Sequence, residues 1–188
     1  MTTRCRWCTD DPLYIAYHDA EWGVAIHDDI RWFELITLEG AQAGLSWFTV
    51  LRKRERYREQ MYGFDPGKLA GLTDTDIERL LQDPGLIRNR LKIASVRDNA
   101  RAFLEIQNRH GSFDAWIWGQ IGGAPIMNDW KNISQVPTST KESDKLSHAL
   151  REQGFRFVGS TICYALMQAG GLVMDHTVDC FRYKELRT

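Results

Sequence analysis

The chain has no apolar run near the ~18 residues of a membrane-spanning helix, and its start carries no apolar stretch of the kind that directs secretion. It has no internal repeat, no low-complexity tract and no sustained period-two alternation. A membrane span, a repeat array and a disordered linker are therefore excluded as organising principles. Net charge is −1, so the molecule as a whole gives no electrostatic sign of a nucleic-acid partner. Only four cysteines are present. In a chain without a secretory leader they point to free thiols or metal ligands before disulfides, and the expectation is a cytoplasmic protein.

What is present suits one domain, or two small lobes sharing a cleft. A chain of 188 residues buries roughly 70% of its unfolded surface on folding and needs no staple merely to fold. Seven tryptophans are many for this length. They suggest large flat surfaces, either in the core or around a planar ligand. Cations cluster twice, at Arg52, Lys53, Arg54, Arg56 and Arg58 and again at Arg88, Arg90, Lys92, Arg97 and Arg101. Either run reads as a solvated helix face or as a phosphate-contacting one.

Apolar spacing is helical almost throughout. Asp28 and Asp29 precede a face of Trp32, Phe33, Leu35 and Ile36, and Ser46 is placed to cap a helix holding Trp47, Val50, Leu51 and Tyr57. Thr73 opens a short helix that Pro84-Gly85 stops. A longer helix is predicted from about Arg88 to His110, with Ile93, Val96, Ala100, Phe103 and Leu104 inward, and Ser112 caps the next, with Phe113, Trp116 and Ile117. Residues 122–139 read as an irregular connection before helix resumes at Lys141 and ends at Gly154.

After that helix comes Phe155-Arg156-Phe157-Val158-Gly159-Ser160-Thr161. Gly159 permits a sharp turn and close backbone approach, and the amides of Ser160 and Thr161 would open the following helix as free donors for a phosphate. The pattern suggests a helix-hairpin-helix element, which grips a DNA strand without reading its sequence. Further on, His176 and Cys180 stand four apart, the spacing that puts two ligands on one helical face. Cys5 and His18 near the start complete a Cys2His2 set, although Cys5-x2-Cys8 is itself a common half-site and spacing leaves Cys8 open as the alternative to His18. Four protein ligands would saturate tetrahedral zinc, which favours a structural ion over a catalytic one.

Four blocks then occur in order: Asp11 to Asp19 with Glu21-Trp22-Gly23, Leu38-Glu39-Gly40-Ala41-Gln42-Ala43-Gly44-Leu45-Ser46-Trp47, Phe157 to Tyr164, and Asp175-His176. Together they resemble 3-methyladenine DNA glycosylase I, of the helix-hairpin-helix DNA glycosylase superfamily. The resemblance extends from about Cys5 to Cys180. It implies an all-α, two-lobed fold over the whole of residues 1–188, with one zinc ion joining the termini through Cys5, His18, His176 and Cys180.

The implied activity is hydrolysis of the N-glycosidic bond of 3-methyladenine in double-stranded alkylated DNA, releasing free 3-methyladenine from a monomeric enzyme. The resemblance assigns Tyr14, Tyr17 and Trp47 to the base pocket and Glu39 to recognition and catalysis, as acceptor for the exocyclic amine of adenine. It assigns Gly44 and Leu45 to filling or prying open the base stack, and Arg156, Gly159, Ser160 and Thr161 to the DNA backbone. Thr161 stands where strand-cleaving relatives carry a lysine, which implies a monofunctional glycosylase. Asp175 falls near the place of an aspartate that many relatives use to position water or stabilise the sugar cation, yet its neighbour His176 is assigned to zinc. Two rivals are set against this reading. One is a non-catalytic, zinc-clamped module recognising damaged DNA, which would not need Glu39 with an aromatic pocket, and the other is a metallohydrolase, which would need an open ligand position.

Overall fold

The computed structural model describes residues 2–187 and is built almost entirely of helices. The element order begins with α1 (Pro12–Ala20), α2 (Asp29–Gln42), α3 (Trp47–Leu51), α4 (Arg54–Gln60), α5 (Pro66–Leu69) and α6 (Asp74–Leu81). It continues with α7 (Arg90–His110), α8 (Phe113–Gly119), α9 (Lys141–Glu152), α10 (Ser160–Ala169) and α11 (Phe181–Glu185). Caps appear where the sequence places them. Asp28 accepts from Arg31 N, Ser46 from Thr49 N, Thr73 from Asp76 N and Ser112 from Ala115 N. Gly111, at φ 85°, ends α7.

Buried residues from every long helix join one contiguous apolar cluster. Its largest fully buried members include Trp32, Phe33, Tyr57, Phe64, Phe103 and Phe113. Rings interlock within it, with Phe103 stacked on Phe113 at 4.3 Å and edge-on to Phe33 at 5.1 Å. α2 runs through this cluster with residues 35–41 all buried, so the polar side chain of Glu39 is carried into the interior by a helix that has no other place to lie.

Three expectations are corrected. The stretch from Trp47 to Gln60 is two helices, broken at Arg52 and Lys53, because the basic run is drawn to separate partners. Leu104 is only half-buried on α7 and Ile106 takes the inward place, as a 3.6-residue period requires over 21 residues. Two short strands, β1 (Ile126–Met127) and β2 (Val173–Met174), pair in parallel. Two-residue strands are too short to show alternation in a sequence.

The cationic runs are largely occupied within the protein. Arg54 forks onto Glu21, Arg56 meets Asp83 and Glu59, and Arg58 meets Glu34 and Glu55. Arg90 pairs with Glu78, and Arg97 with Asp74. These charges brace helices against one another, which is why two basic runs coexist with a net charge of −1. No helix among the described residues is long and apolar enough to cross a membrane.

Candidate active site and metal centre

The chain ends converge on four buried ligands. Donor atoms of Cys5, His18, His176 and Cys180 all lie within 4.8 Å of one another, and none of the four residues is more than 2% exposed. The Cys180 sulfur is 3.5 Å from His18 Nε2 and 3.4 Å from His176 Nδ1, and the Cys5 sulfur is 3.4 Å from His176 Nδ1. A tetrahedral ion with ordinary zinc bond lengths would separate sulfur and nitrogen by about 3.6 Å, so the donor set fits such an ion closely. The Cys180 thiol is held well below its usual range, first by the hydrogen bond from Cys5, which favours the thiolate a metal requires.

The far side of each imidazole is also engaged. His18 Nδ1 lies 2.7 Å from Asp19, which Arg4 grips in turn, and His176 Nε2 lies 3.0 Å from the Trp22 carbonyl. Such contacts fix ring orientation and leave the inner nitrogen free to ligate. Gly23 is required beside them, since its φ is +80° and a Cβ there would lie 3.0 Å from His176 Nε2. Cys8 stays outside the cluster, with its sulfur near the carbonyls of Thr9 and Tyr14, so His18 and not Cys8 completes the set. His176 and Cys180 meet by a turn, with Cys180 N donating to Thr177 O and Cys180 preceding α11. The helical-face argument for that pair is therefore corrected, because a tight turn brings residues four apart together as well as a helix does.

Directly beside the metal group lies a cavity of about 370 Å³, lined by Tyr14, Tyr17, Glu39, Trp47 and Thr161 among others. Tyr14 stacks on Phe48 at 5.0 Å, and Tyr17 lies 5.4 Å from Trp47. Glu39 is 3% exposed and its Oε2 has no hydrogen-bond partner. Burial alone pushes this carboxyl up to about 8. The Trp47 indole N–H is likewise buried without a partner. Buried polar atoms without a partner on two residues that line an aromatic cavity have the chemistry to pair with a flat, polar-edged ligand.

Cavity and metal group share a wall. Trp7 packs at about 5 Å against Tyr14, His18 and Trp22, and Trp22 stands edge-on to His176 at 4.6 Å. Both tryptophans line the cavity, so the ligands position two of its faces.

Asp175, at the cavity floor, is 1% exposed. Its Oδ1 accepts from Asn128 Nδ2 at 2.8 Å and Trp130 Nε1 at 2.7 Å, and its Oδ2 from Tyr164 OH at 2.6 Å and Gln168 Nε2 at 2.8 Å. A carboxylate offers about four lone-pair sites, and all are taken. Asp175 therefore ties residues 128–138, whose Ile133, Val136 and Pro137 close the cavity, to α10. Replacing Asp175 by Asn should leave two donors unpaired and cost about 2–4 kcal/mol. The expected readout is earlier thermal unfolding with faster proteolysis between residues 128 and 138; unchanged protection of that segment would contradict the tie.

α9 and α10 pack around the turn 153–159, in which Phe157 adopts a positive φ of 58°. Ser147 Oγ donates to Val158 O, and Asn99 grips both the N–H and the carbonyl of Arg156. Gly159 leads into α10 with no side chain capping its amides; Ser160 follows with its hydroxyl 2.8 Å from that of Ser143, and Thr161 lines the cavity. Arg156 is 66% exposed and pairs with Asp98. Between α2 and α3 the turn at Gly44, with φ +79°, presents Leu45 at 42% exposure.

Residues 7–183 match the family model described as methyladenine glycosylase. The chain belongs to the methyladenine glycosylase family. It is 52% identical over 180 residues to DNA-3-methyladenine glycosylase 1 of Escherichia coli, covering 96% of each chain. It is 49% identical to DNA-3-methyladenine glycosylase of Haemophilus influenzae, covering 96% of this chain and 97% of that one. A crystal structure of 3-methyladenine DNA glycosylase I superimposes with a TM-score of 0.93 at 51% identity, covering 95% of this chain and 98% of that one. Another, of a Tyr-to-Phe variant in complex with 3-methyladenine, gives a TM-score of 0.92 at 35% identity, covering 95% and 96%.

In this family member the cavity is larger than the residues singled out from sequence. Trp7, Gln42, Tyr164 and Gln168 line it, and so does the segment 133–138. Trp22, Gln42 and Tyr164 lay inside the resembling blocks, a usable signal. The segment 133–138 gave none, because an irregular connection has no periodicity from which a buried side can be read.

Proposed function

We propose that the protein is a monofunctional DNA glycosylase that hydrolyses the N-glycosidic bond of 3-methyladenine in alkylated duplex DNA. It releases the free base and leaves an abasic site, acting as one monomeric, cytoplasmic domain of the two-lobed helix-hairpin-helix glycosylase type. Relatives named for this activity, and a similar structure holding 3-methyladenine, support the substrate. The observation that carries the reading is Glu39, a buried carboxyl without a partner at the wall of an aromatic cavity.

A base cannot be reached inside a duplex, so the nucleotide is extruded at a cost of a few kcal/mol. Stacking on Trp47, Tyr14 and Tyr17 recovers about 1–3 kcal/mol per base. Glu39 accepts from the exocyclic amine of adenine, whereas guanine offers a carbonyl at that position and would leave the buried carboxylate facing an acceptor. 3-Methyladenine in DNA is already cationic, so the C–N electron pair departs onto the base and yields a neutral leaving group without prior protonation. Water then adds to the sugar carbon and gives up a proton to solvent, leaving the neutral abasic sugar. The protein's task is to hold the extruded base and favour the oxocarbenium-like transition state.

In this reading Gly44 and Leu45 occupy the gap in the stack. Arg156 and the amides at Gly159, Ser160 and Thr161 hold the backbone beside it. Thr161 offers no amine to attack the sugar, so strand cleavage is not expected. Cys5, His18, His176 and Cys180 would hold a zinc ion, whose contribution with four protein donors would be structural, and the two imidazoles so held would steady Trp7 and Trp22. The same donor count disfavours a metallohydrolase.

The test is release of free base from methylated duplex DNA, resolved chromatographically, with a Glu39→Ala chain alongside. Release of 3-methyladenine, 7-methylguanine left in place, an impaired variant and an uncut strand are expected. Folded, metal-replete protein that binds this DNA without releasing base would favour the non-catalytic recognition module.

A further inference from the structure

We propose that Lys92 is a positioning residue for opening the duplex, locking the Gly44-Leu45 turn to the end of the helix that carries Glu39. The inference rests on the glycosylase reading above. α2 ends abruptly: Ala43 has φ −43° and ψ 115°, and no basic residue lies in the last turn. Its terminal carbonyls must therefore find donors elsewhere. Ala43 N serves Gly40 O at 3.4 Å and Leu45 N serves Gln42 O at 2.6 Å. The Lys92 ammonium, reaching across from α7, donates to Ala41 O at 2.9 Å and to Ala43 O at 2.5 Å.

This use of a cation differs from that of its neighbours. Arg90 pairs with Glu78, Arg97 divides its donors between Asp74 and Leu72 O, and Arg101 donates to the single carbonyl of Ala70, whereas the Lys92 ammonium joins two carbonyls, one in the last turn of α2 and one just beyond it, at the negative end of that helix's dipole. Its partial burial, which lowers its proton affinity by desolvation, marks a charge held in place and not a solvated surface group. One ammonium thus bridges Ala41 in the last turn of α2, two residues beyond Glu39, and Ala43, the first residue of the turn that presents Leu45.

Mechanics give the bridge its purpose. A wedge pushed against stacked bases transmits force only if its own base is stiff, and a left-handed glycine is the most compliant link in a chain. With Lys92 in place the turn and α2 move as one body, so entry of Leu45 into the stack is in register with delivery of the base to Glu39. Without it Leu45 can still be present, but it yields instead of prying.

The test compares the full-length wild-type chain with Lys92→Met, which keeps the stem and loses the charge, and Lys92→Arg, which keeps both charge and donors. Single-turnover excision is measured on methylated duplex and on the same methylated strand without its complement, and affinity for free 3-methyladenine is read from tryptophan fluorescence. Losing two charge-assisted hydrogen bonds should slow duplex excision about tenfold in Lys92→Met. Base affinity should stay within about twofold and single-strand excision within about threefold, because neither requires a stack to be opened. Lys92→Arg should recover most of the duplex rate, and adding Lys92→Met to Leu45→Ala should cost nothing further.

Equal losses on both substrates, a matching loss of base affinity, or additivity with Leu45→Ala would each overturn the proposal. If Lys92→Met does not fold, Lys92→Gln, which keeps a donor without the charge, carries the same comparison. Wild-type protein that releases no 3-methyladenine from either substrate would instead overturn the glycosylase reading.

Discussion

Replacing Glu39 by Gln should lower excision of 3-methyladenine by about 100-fold or more while making the protein more heat-stable at alkaline pH. Both effects have one cause. The carboxyl sits 3% exposed on α2 with Oε2 unpartnered, and burial alone raises it from 4.5 to about 8. Below pH 4.5 the folded and unfolded chains both hold this proton. Between 4.5 and 8 the unfolded chain releases it and the folded chain keeps it, so stability falls as pH rises through this window and levels off above it. The full difference is about 5 kcal/mol.

Gln has the same shape and cannot ionise. Near pH 5 the two chains should melt within about 2 °C of each other, and at pH 8.5 the Gln chain should melt about 10 °C higher. Thermal unfolding at the two pH values, alongside base release, is the measurement. Equal melting at pH 8.5, or excision undiminished, would show that Glu39 is neither the strained nor the recognising group. A cationic base entering the cavity favours the ionised carboxyl, so its binding below pH 8 should release a proton into solution.

Removing the metal should have the second large effect. A single ion held by Cys5 and Cys180 would close a loop of nearly the whole chain, and by analogy with a covalent clamp its loss should cost about 3–5 kcal/mol. For a chain of this length that is about 10 °C in melting temperature. Affinity for free 3-methyladenine should fall as well, because Trp7 and Trp22 line the cavity while packing against His18 and His176. His176→Ala, or treatment with a strong chelator, followed by metal analysis, melting and base titration, checks both. Loss of metal with base affinity intact would show that the wall is held by packing alone. This domain has its own apolar core, so unfolding outright, as zinc-finger peptides do, is not expected.

The sequence by itself determined most of the helices and their ends. Caps at Asp28, Ser46, Thr73 and Ser112, together with helical apolar spacing, are local signals, and local hydrogen bonds and burial decide them. The resembling blocks were also legible, and they placed Tyr14, Tyr17, Glu39 and Trp47 in one pocket before any coordinates. Left open was whatever depends on distance through space. Cys8 and His18 were equivalent by spacing, and only the fold brings His18 Nε2 to within 3.5 Å of the Cys180 sulfur.

The basic runs were open between a solvated face and a phosphate-contacting one until tertiary packing set Arg54 against Glu21 and Arg58 against Glu34. Asp175 was open between a catalytic and a structural role in the sequence, and only the fold brings Asn128 and Trp130, from a segment without periodicity, to one of its oxygens and Tyr164 and Gln168 to the other. Lys92 was one cation among five until its ammonium met two carbonyls some fifty residues away. A side chain's partner is chosen by three-dimensional proximity, and along the chain that choice leaves no periodic trace. The helices were therefore written locally, and the chemistry of the charges between them was decided only when those helices packed.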